Sequence, residues 1–390
     1  MDENRTASDD QDREYGYSRS SFLRLVAERS DARLETYRHP ERGPDGEPLF
    51  VDTAYIGRGD EKEVIVLISG THGVEGIAGS FIQRSWLGSG RIDHRPHGVG
   101  VLLIHAINPW GFAWRRRTTH ENIDLNRNWI DFAAPLPPNH AYDDLAHVLA
   151  PVRRGDARPL VLMRRVFAYV LRRGGYGLAL GRGMRRLQAA VSIGQYSHPD
   201  GIFFGGHAPS WSRGIWTRIL QDELRQARHV AVVDLHTGLG RNGAAERMVS
   251  AEAGSPDALR AREVFGEAVI PVGGSGSASA PIMGEWMSGA SDLLPHADVT
   301  AITLEFGTRP ALTVLQALVQ DNWLHMHGDP RGPDGARIKR SITDAFFDGS
   351  DEWRTLVTTA TFDCVETAMI RLVATAGPRG SNDRDGTTDA

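Results

Sequence analysis

His72 and Glu75 stand three residues apart in Ser69-Gly70-Thr71-His72-Gly73-Val74-Glu75-Gly76. A neutral imidazole and a carboxylate together suit Zn2+. An i, i+3 pair points to one side if a helical turn follows. The pair comes directly after Val64-Ile65-Val66-Leu67-Ile68, a short β-branched apolar run ended by glycine. Such a run reads as a buried strand, and strand ends are where α/β sheets place their catalytic groups. A capped turn with a solvated glutamate would show the same four letters, so the missing parts must come from elsewhere.

A catalytic zinc takes three protein ligands and keeps one position open. The best third ligand is His236, in Asp234-Leu235-His236-Thr237-Gly238, just past the apolar run Val230 to Leu235. Parallel strands bring their carboxyl ends to one edge, where His72 and His236 can meet. Asn126 and Arg127 lie in Asn122-Ile123-Asp124-Leu125-Asn126-Arg127-Asn128-Trp129, a polar stretch bracketed by apolar residues. A guanidinium fork with an amide donor beside it suits a substrate carboxylate. Arg115, Arg116 and Arg117 offer a second cation that can stabilise a developing oxyanion; a surface basic cluster is the plainer reading of the three. Glu305 ends the apolar run from Val299. A charge there needs a partner or a use. Beside a metal-activated water it can accept a proton and pass it to a leaving amine; an ion pair with Arg309 would also satisfy it.

The elements that must hold these groups alternate. Strands are expected at 49–56, 64–68, 99–105, 230–235, 248–250 and 299–306, and helices at 78–87, 256–269, 311–326 and 358–375. Short apolar strands alternating with helices argue for an α/β fold with a parallel or mixed sheet covered on both faces. The rhythm breaks over about 133–197, an arginine-rich segment with helical stretches at 161–173 and 184–193. It reads as a helical insertion with a solvated basic face, or as a wall over the site; a membrane-surface or nucleic-acid patch would need aromatic interleaving or a basic fold motif, which it lacks. Residues 1–16 and 377–390 read as disordered tails around one domain over 17–376.

Composition narrows the class. The 390 residues carry a formal net charge of −5 and one cysteine, Cys364. No intrachain disulfide or cysteine zinc cluster can form, and no polyanion binding is implied. The start is acidic, no apolar run nears a membrane span, and the expectation is a cytoplasmic protein without stable membrane insertion or a nucleic-acid partner. The oligomeric state stays open. His198, His207 and the His325-Met326-His327 pair are further imidazoles, expected in structural or surface roles more than as ligands.

Six stretches in order, SGTHGVEGIAGS, NPWGFAWRRR, ENIDLNRNW, GQYSHPDGIFFGG, DLHTGLG and LEFGT, resemble the DUF2817 family. That family sits in the zinc carboxypeptidase superfamily of the M14 type, near the succinylglutamate desuccinylase and aspartoacylase branch. The resemblance spans roughly residues 17 to 375. It implies a three-layer α/β/α sandwich with a central mixed sheet, and one zinc ion held by His72, Glu75 and His236. It further implies Asp124 orienting a ligating histidine, Asn126 and Arg127 on the substrate carboxylate, Arg117 or Arg116 on the scissile carbonyl, and Glu305 as general base and acid. One departure stands out: digestive carboxypeptidases carry a mobile tyrosine between the third ligand and the catalytic glutamate, and here the span from His236 to Glu305 has none. Tyr196 is the candidate to enter the site from elsewhere.

The function expected is hydrolysis of an amide or peptide bond beside a free carboxylate, on a small molecule or short peptide. A deacylase of small N-acyl amino acids and a non-catalytic metal-binding module are the alternatives.

Overall fold

The computed structural model describes residues 11–174, 187–274, 277 and 279–375. Eight strands form one mixed sheet in the order β1-β2-β4-β3-β5-β8-β6-β7. They are β1 Ala32–Arg42, β2 Pro48–Ile56, β3 Glu63–Ile68, β4 Val99–His105, β5 His229–Asn242, β6 Ala245–Val249, β7 Val269–Pro271 and β8 Asp298–Gly307. The central four, β4, β3, β5 and β8, run parallel. β1 and β2 join antiparallel on one side and β6 on the other.

Alternation along each central strand fills two separate cores. Ile65 and Leu67 of β3 face a cluster with Phe22, Ile82, Trp86 and Val365. Those come from α1 (Tyr15–Ala27), α2 (Gly76–Gly88) and, later in the chain, Asp351–Thr375. Val64, Val66 and Ile68 face the opposite cluster, with Trp216, Ile219 and Leu220 from the helix Trp211–Glu223. A strand buried on both faces must be apolar throughout, which is why 64–68 is readable as a continuous run. The result is the expected α/β/α sandwich.

The chain leaves β3, returns through α2 to β4 on one side, and later enters β5 on the other side of β3. That switch opens a crevice at the carboxyl end of β3. Gly70, at φ +74°, turns the chain there. Gly73 then packs so closely that a Cβ would lie 2.1 Å from the Gly111 carbonyl carbon. Its partner is the short helix Pro109–Ala113, capped by Asn108, whose Oδ1 accepts from Gly111 N–H at 2.9 Å. The Asn-Pro-Trp-Gly stretch thereby locks onto the His-Gly-Val-Glu turn, and the arginines that follow it arrive at the crevice.

Several expectations shift. Of residues 11–16, assigned to a tail, Asp12, Arg13 and Tyr15 are buried, and Asp12 pairs with Arg84 and Arg354 at 2.6 Å. The remaining tail residues lie outside the described ones. The helix expected over 256–269 spans Pro256–Phe265, ended by Gly266 at φ +96°, and Val269–Pro271 is a strand. β1 went unread because it is a solvated edge strand with almost no apolar face. Of the arginine-rich segment, Pro159–Gly174 and 187–192 are helical, and 175–186 lies outside the described residues. No helix among the described residues is long and apolar enough to cross a membrane.

Candidate active site

The parallel strands deliver three of the expected groups to one edge. His72 follows β3, His236 lies on β5, and Glu305 is its direct neighbour in register on β8. β5 continues to Asn242, so His236 sits within the strand and not past its end. Glu75 ends the turn Gly73–Glu75 and reaches back to both imidazoles.

His72 Nδ1 lies 2.9 Å from Glu75 Oε1, and His236 Nδ1 lies 3.1 Å from Glu75 Oε2 and 3.1 Å from His72 Nδ1. All three residues are buried, and they form the one group of possible metal ligands among the described residues. A tetrahedral ion with ligands at about 2.0–2.1 Å needs them about 3.3 Å apart, so this spacing fits. The protonation pattern agrees. His236 Nε2 faces Asp234 Oδ2 at 2.7 Å. A carboxylate only accepts, so the proton sits on Nε2 and a neutral ring turns its Nδ1 lone pair toward Glu75. Without a cation that contact is repulsive for the neutral ring. Burial opposes a charged His236, but Asp234 and Glu75 hold it well above the usual imidazole range. The same environment, against the cost of burial, holds Glu75 below the usual carboxylate range through His72 and His236. A carboxylate and two imidazoles converging at these distances are a group that could hold a metal ion.

Asp124 caps the turn Leu125–Arg127, accepting from Asn126 N–H at 3.1 Å. Its Oδ1 stands 3.2 Å from His72 Nε2, and Arg117 Nε donates to its Oδ2 at 2.8 Å. Burial alone would raise the Asp124 carboxyl, yet Arg117 and His72 pull it far down. Arg117 also reaches Glu75 Oε1 at 3.2 Å and His72 Nε2 at 2.7 Å. Arg116 turns the other way. It is buried against Asp321, Asn122 and Asn322, where it ties the loop to the helix Ala311–His327. Arg115 pairs with Glu14. Of the three consecutive arginines, Arg117 is the one at the ligand group.

A cavity of about 250 Å3 opens over these residues, with Arg117, Asn126, Arg127 and Glu305 on its walls. Leu239 N–H donates to Glu305 Oε1 at 2.9 Å. Burial first, then Glu75, raises the Glu305 carboxyl to about 8. Arg127 spends three of its five N–H groups on the backbone: Nε and Nη2 on Ser192 O and Nη1 on Asn126 O. Two remain for a ligand. Asn126 Oδ1 is buried without a hydrogen-bond partner. Tyr196 does not line the cavity; its hydroxyl donates to the Arg127 carbonyl at 2.7 Å, behind the site. His207 bonds the Tyr196 carbonyl and His198 pairs with Asp143, both away from the ligand group.

Three groups were not read from the sequence. Asp234 had a signal: strand alternation puts positions 234 and 236 on one side. Thr71 hydroxyl (2.8 Å) and Trp286 indole N–H (2.8 Å) also donate to it. Phe203, at φ +57°, had none; its ring centroid stands 5.1 Å from the Arg117 guanidinium and 5.7 Å from that of Arg127. Glu285 also lines the cavity. Exchange of Asp234 for Asn keeps the shape and an acceptor oxygen but removes the negative charge behind the His236 ring. Metal affinity should fall about 10–100-fold, read by competition with a chromophoric chelator; an unchanged affinity removes Asp234 from this role.

The family profile described as "Protein of unknown function (DUF2817)" matches residues 12–360. The chain belongs to the DUF2817 family. No curated protein matches it. Solved structures overlap the DUF2817 chain loosely. Bovine thrombin-activatable fibrinolysis inhibitor shares 12% identity, covering 93% of this chain and 97% of that one, with a TM-score of 0.49. Carboxypeptidase A from Helicoverpa armigera shares 12% identity over 85% and 73%, at 0.44. Succinylglutamate desuccinylase from Chromobacterium violaceum shares 14% over 80% and 74%, at 0.34. At these scores the overlaps carry no weight for the activity, which must be argued from the side chains.

Proposed function

We propose that the protein is a zinc-dependent hydrolase of an amide bond beside a free carboxylate, acting on small substrates. The observation that carries this reading is one cavity wall holding His72, Glu75 and His236 together with Glu305, Arg117 and Arg127.

His72 and His236, through Nδ1, and Glu75 would hold the ion; Asp124 and Asp234 would fix the two rings from behind. A bound zinc ion supplies Lewis acidity and lowers the pKa of water. Asn126 and the two remaining N–H groups of Arg127 receive the substrate carboxylate. Arg117 donates to the carbonyl oxygen as negative charge develops there. Glu305 accepts the proton of the attacking water and returns it to the leaving nitrogen. Its carboxyl must be ionised to do so, and Arg117 favours that form.

At about 250 Å3 the cavity is smaller than the roughly 300–1,000 Å3 of most ligand sites. That favours a dipeptide or an N-acyl amino acid over a long chain, so the deacylase reading stands beside the peptidase one. Dialysis against a chelator should abolish hydrolysis, and one equivalent of zinc should restore it. A panel of dipeptides and N-acyl amino acids, each with its carboxylate-blocked amide, separates the two substrates. Equal rates on acids and blocked amides would remove the carboxylate clamp; a zinc-loaded protein inert on every compound would be a binding module.

A further inference from the structure

Phe203 has a backbone conformation that a bulky side chain rarely adopts: its φ of +57° lies in the left-handed region. Such strain persists only where the surroundings over-determine it, and it points to a use. Here every carbonyl from Pro199 to Gly205 accepts a hydrogen bond. Asn122 Nδ2 donates to those of Pro199 (2.8 Å) and Gly201 (3.0 Å), Asn322 Nδ2 to Asp200 (2.7 Å), and the Tyr142 hydroxyl to Ile202 (2.8 Å). Gln195 N–H donates to Phe203 at 3.1 Å, Asp124 N–H to Phe204 at 2.7 Å, and Asn128 Nδ2 to Gly205 at 2.7 Å. A Cβ on Gly205 would lie 2.7 Å from the Arg127 carbonyl oxygen. The loop is thereby bound to the same 122–128 stretch that carries Asp124 and Arg127, and it presents Phe203 to the cavity.

What the ring meets there is a pair of cations. The Arg117 guanidinium stands 5.1 Å from the ring centroid and that of Arg127 5.7 Å, both within cation–π range. Two guanidinium groups on one buried wall repel, with little water to screen them. Burial lowers Arg127 from the ordinary guanidinium range; Asp124 supports its charge and Arg117 opposes it. The negative face of an aromatic ring attracts both cations without adding a charge of its own. A carboxylate in the same place would compete with the substrate for the two arginines.

We propose that Phe203 is a positioning residue: its ring, fixed by the strained loop, holds Arg117 and Arg127 beside each other, so that one guanidinium meets the carbonyl oxygen and the other the carboxylate. This deepens the hydrolase reading and rests on its assignment of the two arginines.

The test places trifluorophenylalanine at position 203 of the zinc-loaded full chain. Fluorination keeps the ring and its packing but drains negative charge from its face, so a ring that only fills space would not notice it. The first readout needs no substrate. Arg117 Nε–H is bonded to Asp124 Oδ2 and Arg127 Nε–H to the Ser192 carbonyl, and their exchange with water, followed by NMR of arginine-labelled protein, reports how firmly each guanidinium is held. Both should exchange about tenfold faster in the fluorinated protein, within what a desolvated cation–π contact is worth. Rates unchanged within twofold, or a rise at only one arginine, overturn the shared role. The second readout is turnover, where the fluorinated protein should show a lower kcat through Arg117 and a higher KM through Arg127. If both arginines loosen but wild type hydrolyses nothing, Phe203 still holds them and the hydrolase reading falls. If wild type turns over and neither constant changes on fluorination, Phe203 is not a positioning residue.

Discussion

Glu305→Gln should lower kcat by about 10²–10⁴-fold while one zinc ion stays bound. The substitution is clean by geometry. Gln keeps an oxygen for the Leu239 N–H that now donates to Oε1, so the loop after β5 stays in place. What it loses is the capacity to take a proton. Glu305 lies beside His236 in the β5–β8 register without belonging to the ligand group, so metal content should not follow it. The measurement pairs single-turnover rates with metal analysis of the same sample. Retained turnover would remove Glu305 from the mechanism. Loss of the metal along with the rate would make it a ligand.

His236→Ala should abolish both metal and activity. It leaves two of three ligands, and it also strands Asp234, buried and still bonded by Thr71 and Trp286. The thermal readout is the more decisive. Wild type at a thousandfold excess of zinc over its Kd should gain about 4 kcal/mol of stability. In the variant that zinc-dependent rise in Tm should vanish. A variant that still gains stability from equimolar zinc would place the ion elsewhere.

Much of this site is legible in one dimension because each ligand is tied to a strand that is buried on both faces. The run 64–68 is apolar throughout and 230–235 and 299–306 are largely so, so the charged and imidazole groups in or just after them stand out, and parallel strands share an edge. That makes His72, Glu75, His236 and Glu305 candidates, and the order of the six motifs adds to them. The edge strand Ala32–Arg42 lacks such a signature, since solvent covers it and nothing forces its residues to be apolar.

Adjacency in sequence says nothing about which neighbour turns inward. Arg116 and Arg117 are consecutive, yet one bonds Asp321 and the other Asp124 and Glu75. The choice is made by the turn that locks Asn108 and Gly111 against Gly73, a contact between segments 35 or more residues apart. Tyr196 likewise carries the right chemistry for a site, and packing sends its hydroxyl to the back of Arg127. Glu285 goes the opposite way: an unmarked residue in a loop, brought onto the cavity by the close fit of Gly284 on Arg127. Local pattern states which residues can bind a metal, because that depends on side-chain type and strand ends. What surrounds that ligand group depends on contacts between distant loops, and those exist only once the two cores have packed.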